Sequence, residues 1–418
     1  MRNHSVSSGD RVKRLAALVP ALVFVLTLVA CGGSGTPNTP TSGAKNRAFI
    51  SNAYSGNLQI VDTQNDTTPL TASTYDQNGN LVQGQPVTIT VANEATFEAE
   101  SPDHTVTAVY DPTTFSIWFV TNSSETTAGQ VPLSNSTSMF LFSPDSATVY
   151  APEPNLATSG HLGGVEVITR SSSTITATYA VPSASKIALS PSGQYLLVFA
   201  ANSDSVFLIN LTATTVTPVE IPGFARPVNA FFSSDNNTAW VISCGPECGS
   251  ANPASVAALD IPSQKITSTV PVGGASVGFL NGSTLYVAGS PVPPGTTSTY
   301  DAVNVSNMTR ITTNSVAISD GFHTTMALAP NNKLYIGASS CSNTTTGCLS
   351  VVDVGSNTAD APLPPRGAIT ALMSVSGRNV IYSIEGGLLH IYDSETDQLQ
   401  PTQIIFTGAL FGIVQVDQ

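Results

Sequence analysis

Charged side chains are scarce in this sequence: Asp, Glu, Lys and Arg make up 10% of 418 residues, against about a quarter in an ordinary soluble domain. Long solvated helices laced by ion pairs need those residues, so helices of that kind are excluded as the main building material. Basic residues are scarcer still, with 14 Lys+Arg against 27 Asp+Glu. The formal charge of −13 repels phosphate and excludes electrostatic capture of nucleic acid. The strongest apolar run, Leu15 to Ala30, has 16 residues, short of the roughly 20 that span a bilayer as a helix. No Walker A loop, Cys-x-x-Cys, His-Glu-x-x-His, EF-hand loop or Trp-Asp dipeptide occurs, so the common nucleotide, zinc and calcium signatures are missing. What is present is a 41% hydrophobic fraction with 32 Gly and 28 Pro, enough apolar material for a large core and many turns, and too much for a disordered chain.

The N-terminus carries an address. Arg2, Arg11, Lys13 and Arg14 precede the apolar run, the order of an export signal. The run ends Leu28-Val29-Ala30-Cys31 and continues Gly32-Gly33-Ser34-Gly35, which resembles the bacterial lipobox, in which a Cys after small residues is lipidated and becomes the mature N-terminus. The resemblance implies a signal peptide over 1–30, a lipoprotein carrying palmitate-type acylation at Cys31, and a flexible Thr/Pro/Ser/Gly tether to residue 45. With Gly32 after the Cys, it also implies the outer membrane where the cell has one. Removing the signal takes away four basic residues and Asp10, so the charge moves from −13 to −16. Four cysteines remain as two local pairs, Cys244 with Cys248 and Cys341 with Cys348. In an oxidising compartment they read as two disulfides closing small loops; neither pair has a nearby His to complete a zinc site.

From Asn46 onward the chain repeats. An apolar strand, a polar loop and a second apolar strand recur, beginning at residues 48, 107, 148, 195, 239, 285, 334 and 380. A spacing in the forties with about four strands per unit predicts an all-β fold, a single β-propeller of four-stranded blades over 46–418. Several first strands follow a turn such as Ser143-Pro144-Asp145 or Ser190-Pro191-Ser192-Gly193, in which Pro presets φ and Asp, Asn or Gly closes the bend. Together with Ala48-Phe49-Ile50-Ser51-Asn52 and Ile60-Val61-Asp62-Thr63, this register resembles the bacterial YVTN family of β-propeller repeats, which implies the fold but no particular activity. The count is eight blades; the resembled family is usually seven-bladed, so seven stays open, with the irregular stretch 63–106 as the place where a miscount would hide. The first unit lacks an inner strand and the C-terminus has a surplus one, 409–417, so the two ends are expected to complete one blade and close the ring.

Chemistry is thin by comparison. Gly274-Ala275-Ser276-Val277-Gly278 matches the nucleophile-elbow pattern in form, but it enters a strand and no helix follows. Asp62, Asp260, Asp353 and Asp393 close strands and are expected to cap turns. No catalytic residue, metal site or cofactor is expected. In a propeller the connectors into the inner strands and the loops between the second and third strands share one face. Those loops are long at 151–164, 243–255, 290–300 and 339–349, and both Cys pairs lie in them. Lys186, Arg226, His323 and Arg366 fall at the inner-strand starts of the same face, a concentration on an acidic protein that points to an anionic ligand. Two function classes follow. One is a lipid-anchored envelope module, expected as a monomer, that binds a protein, glycan or small anion. The other is a propeller enzyme of lactonase-like or quinone-dependent dehydrogenase type with its site at the channel mouth, disfavoured because the inner strands are mostly apolar, Ser and Thr, with Glu98 and Glu100 as exceptions.

Overall fold

A computed structural model describes residues 42–291, 298–342, 347–401 and 404–417. The expected signal, Cys31 and the expected tether up to residue 41 lie outside the described residues. The described residues form one unit, a closed ring of eight antiparallel blades. Within each blade the chain runs from an inner strand a, through b and c, to an outer strand d. The inner strands, in ring order, are Leu410–Gln415, Glu98–Glu100, Leu141–Phe142, Ala184–Leu189, Pro227–Phe232, Val277–Asn281, Phe322–Leu328 and Ile369–Ser374. The b strands begin at residues 47, 106, 148, 195, 238, 284, 333 and 380, within one residue of the sequence expectation. They are the most buried elements, as the continuous runs Arg47–Asn52 and Val380–Glu385 show, because a b strand has a neighbour on each edge and a blade on each face.

Eight blades are present, and the long first interval hides none. Between strand c (Asn57–Asp62) and strand d (Thr88–Thr90) of blade 1, the chain makes an excursion that carries a separate two-stranded ribbon, Thr74–Tyr75 with Leu81–Val82. Blade 6 has a split outer strand, with Thr309–Arg310 and Val316–Ile318 both pairing Ser298–Asn304.

The termini close the ring. Leu410–Gln415 pairs antiparallel with Arg47–Asn52 in the register Ala48 to Gln415, Phe49 to Val414 and Ile50 to Ile413. Arg47 ties the junction together: its Nε and Nη2 donate to the Asp417 carboxylate at 2.7 and 2.9 Å, and Nη1 donates to Glu125 of blade 2 at 2.9 Å. On the other flank, Arg378 of blade 8 donates to both Asp66 carboxylate oxygens at 2.7 and 2.8 Å.

The a–b turns explain why their sequence is degenerate. The fourth turn residue sits at positive φ in five blades, filled by Gly193 but also by Asn236, Asn332, Ser146 and His104, while in blade 8 the positive φ falls one residue earlier, at Gly377. His104, Ser146 and Asn236 are held there by an Asp cap, as where Asp145 accepts from Ser143 Oγ at 2.5 Å and from Ala147 N at 3.0 Å. The c–d aspartates cap as expected, with Asp62 accepting from Gln64 N, Asp260 from Ser263 N, Asp353 from Gly355 N and Asp393 from Glu395 N.

One loop expectation is corrected. Residues 151–164 are mostly strand, since b and c of blade 3 extend as Thr148–Thr158 and His161–Thr169 to a tight turn at Gly160, which has φ of 95°. Pro152 and Pro154 argue against a strand, but the irregularity between Glu153 and Ala157 absorbs the lost pairing.

Candidate functional site at the channel mouth

Both cysteine pairs are bonded, with Cα–Cα distances of 5.6 Å for Cys244–Cys248 and 5.5 Å for Cys341–Cys348, within the usual range for disulfides. The first closes a short 3-10 turn, Gly245–Cys248, on the b–c loop of blade 5. That turn carries Glu247 toward the channel.

A cavity of about 360 Å³ opens at the mouth, lined by Lys186 and Phe199 of blade 4, Arg226 and Val228 of blade 5, Glu247, and Phe322 of blade 7. A second cavity of about 260 Å³ shares Glu247 and Phe322 and adds Ser290, Ser340 and Cys341. The two staples therefore border adjoining hollows of one face.

Backbone irregularity aims the cations. Strand a of blade 4 shifts register between Ala184 and Lys186, and strand a of blade 5 shifts between Pro227 and Asn229. A bulge at this level re-aims the side chains beside it, which is how a strand that packs blades can also turn a long basic chain into the cavity. Arg226 has φ of 57°, a conformation uncommon for a branched-chain-free but bulky residue, and it is held there by its neighbours: its N–H donates to Asp204 Oδ1 at 3.0 Å and its Nη1 donates to the Asn202 carbonyl. Its ion pair with Asp204 is loose, 3.8 Å on an exposed edge. Lys186 has neither a hydrogen bond nor an ion pair among the described residues, and burial lowers its pKa. Glu247 accepts from Ser290 N at 2.9 Å, and burial pushes its pKa up to about 7. Its seat depends on Gly289: a Cβ there would lie 2.7 Å from Glu247 Oε2 and 2.7 Å from Ala275 N.

Of the four basic residues expected at the mouth, Lys186 and Arg226 share a cavity and the other two do not join them. His323 is fully buried behind Phe322, and burial pushes its pKa down to about 4, so the ring is neutral at pH 7. Register shifts on both sides of His323 leave Phe322 to line the cavity and turn the imidazole inward. Arg366 lines a different cavity of about 470 Å³, between the connector leaving blade 7 and the outer strands of blade 8, with Asp360, Tyr392 and Asp397. Glu247 and Phe322 were not singled out by the sequence, although a lone acid inside the Cys-Gly-Pro-Glu-Cys staple was a usable signal. Ser276 of the elbow-like pattern is buried and donates to the His323 carbonyl at 3.1 Å, a structural bond between blades 6 and 7.

Among the described residues no helix is long and apolar enough to cross a membrane. No family model matches the chain, and no curated protein matches it in sequence. Solved structures match in fold. The dihydro-heme d1 dehydrogenase NirN in complex with DHE aligns over 89% of this chain and 75% of its own, with a TM-score of 0.64 and 11% identity. Hydrazine synthase of Kuenenia stuttgartiensis aligns over 74% of this chain and 95% of its own, with a TM-score of 0.53 and 15% identity. A functionally unknown protein from Desulfotomaculum acetoxidans aligns over 76% and 94%, with a TM-score of 0.52 and 16% identity. At these identities the likeness is one of fold.

Proposed function

We propose that this chain is a lipid-anchored β-propeller of the bacterial cell envelope, with a signal over 1–30, acylation at Cys31, a tether to 45 and a ring over 46–418, and that it binds a small carboxylate-bearing ligand at its channel mouth. The observation that carries the binding reading is a pair of cations, Lys186 and Arg226, lining one cavity of about 360 Å³, with Lys186 lacking any anionic partner among the described residues. Lys186 is half-buried, so its ammonium is partly withdrawn from water without a counter-charge, and a bound carboxylate offsets that loss. The volume falls in the range of small-molecule sites, and Phe199, Val228 and Phe322 supply apolar walls. Two disulfides and the lipobox-like Cys31 support an oxidising envelope location. The Ser-Pro-Asp type turns and the strand ends at Asn52 and Thr63 support reading the ring as YVTN-type repeats.

The test is calorimetric titration of the full chain in detergent with benzoate and with 4-methylpentanoate. Both should bind, and K186M and R226Q should each weaken binding by about tenfold or more, the worth of one charge-assisted hydrogen bond. Unchanged affinity in both variants would remove the mouth as the site.

A further inference from the structure

Above about pH 7, where the buried Glu247 ionises, the mouth cavity holds charge of both signs. Lys186 and Arg226 stand on the inner strand of blade 4 and the connector into blade 5, and Glu247 stands on the stapled turn that closes over them. Neither cation comes within 4.0 Å of the Glu247 carboxylate, so these opposite charges share one cavity without forming an ion pair. Rigid elements keep them apart. Lys186 is fixed by its register opposite Phe199, and Glu247 by the Cys244–Cys248 bond and the Ser290 N–H. A simple carboxylate would satisfy the cations while facing Glu247 across the same space, which opposes its binding. A molecule with a carboxylate at one end and an ammonium a few atoms away would satisfy both walls at once. The remaining lining is polar on one side, with Ser185, Asn202 and Ser203, and apolar on the other, with Pro227, Val228 and the Phe322 ring, which is 39% exposed.

We propose that the ligand of the mouth is a free α-amino acid with an apolar side chain, its carboxylate on Lys186 and Arg226, its ammonium on Glu247 and its side chain against Phe322. This rests on the anion reading of Lys186 and Arg226 and goes further by assigning Glu247. The cation-binding group comes from one staple loop and the cavity it closes adjoins the hollow bordered by the other, so ligand class and disulfide placement acquire a common reason.

The experiment compares three probes on the full chain by calorimetry: L-leucine, 4-methylpentanoate, which is leucine without its ammonium, and 3-methylbutylamine, which is leucine without its carboxylate. Wild-type protein should bind leucine about tenfold or more tightly than 4-methylpentanoate, and the amine most weakly. Glu247→Gln should bring leucine down to the affinity of 4-methylpentanoate while leaving 4-methylpentanoate no weaker than before. Equal affinity for leucine and 4-methylpentanoate in the wild type overturns the amino-acid assignment and leaves the anion site standing; a leucine preference that survives Glu247→Gln overturns the role of Glu247. Failure of both acids to bind overturns the anion reading as well. The wild-type comparison does not depend on how well the variant folds.

Discussion

Arg47 is the residue at which the two ends of the chain meet. Its guanidinium takes two oxygens of Asp417 and one of Glu125, and its side chain is only 10% exposed. Replacing one member of a buried charge cluster leaves the others uncompensated, so R47M should destabilise the ring by about 3–5 kcal/mol in chemical denaturation. Lys cannot reproduce the fork, so R47K should recover only part of that loss. A variant as stable as the parent would show that the junction is held by strand pairing alone. A second residue-scale effect concerns buried carboxyls. Burial pushes Glu98 up to about 8, Glu153 to about 9, and Glu247 and Glu385 to about 7. Each folded group holds a proton that the unfolded chain releases near the ordinary carboxylate value. Their stabilising contribution is therefore complete below about pH 4.5 and is lost as pH rises through the folded values. The turn aspartates, such as Asp145 and Asp235, are held low by hydrogen bonds and change only at more acidic pH. The thermal midpoint should fall between about pH 5 and about pH 9, and E98Q should flatten that slope and melt higher than the parent at the alkaline end. A midpoint that rises over the same interval would contradict this assignment.

At the scale of elements, the C-terminal strand makes the ring a ring. Leu410 and Val416 are buried, Gly412 lies so close to Glu98 that a Cβ would collide with the carboxylate, and the strand fills the inner position of blade 1. Deleting the last nine residues exposes the edge of Arg47–Asn52 and should lower the melting midpoint by roughly 10 °C or abolish cooperative melting. Cooperative melting at the parent temperature would refute closure by the two termini. The same scale shows which elements were legible in sequence. The b and c strands were, because they are buried on both faces and read as apolar runs. Outer strands such as Thr358–Ala359 and Gln398–Leu399 were not: they are two residues long, carry little apolar surface and owe their place to the neighbouring strand. The extended hairpin of blade 3 was hidden by its two prolines. At the site, position along the chain found Lys186 and Arg226 but could not sort them from His323 and Arg366, since side-chain direction there is set by bulges. One residue of register exchanges cavity for core, and that decided between Phe322 and His323.

For the whole molecule, scarcity of charge follows from the architecture. A ring of strands packed blade against blade buries most of its surface, and the few cations stand out because so little else is basic. Several are consumed by structure, as Arg47, Arg310 and Arg378 are by ion pairs with carboxylates. Lys186 is not, and it shares its cavity with a second cation, Arg226, which is why the mouth carries the functional proposal. The proposed envelope anchoring rests on the N-terminal sequence and is tested separately from the mouth. In a bacterial host the wild-type chain should fractionate with membranes and take up labelled palmitate, and C31S should lose both. Label incorporation that persists in C31S would place the acylation elsewhere.

The most direct measurement is a crystal structure of the full-length mature protein soaked with 4-iodobenzoate, with iodine located by anomalous scattering. The account predicts iodine in the cavity between blades 4, 5 and 7 and a carboxylate within about 3 Å of Lys186 Nζ. Iodine bound only elsewhere, with Lys186 left without a carboxylate, would contradict it.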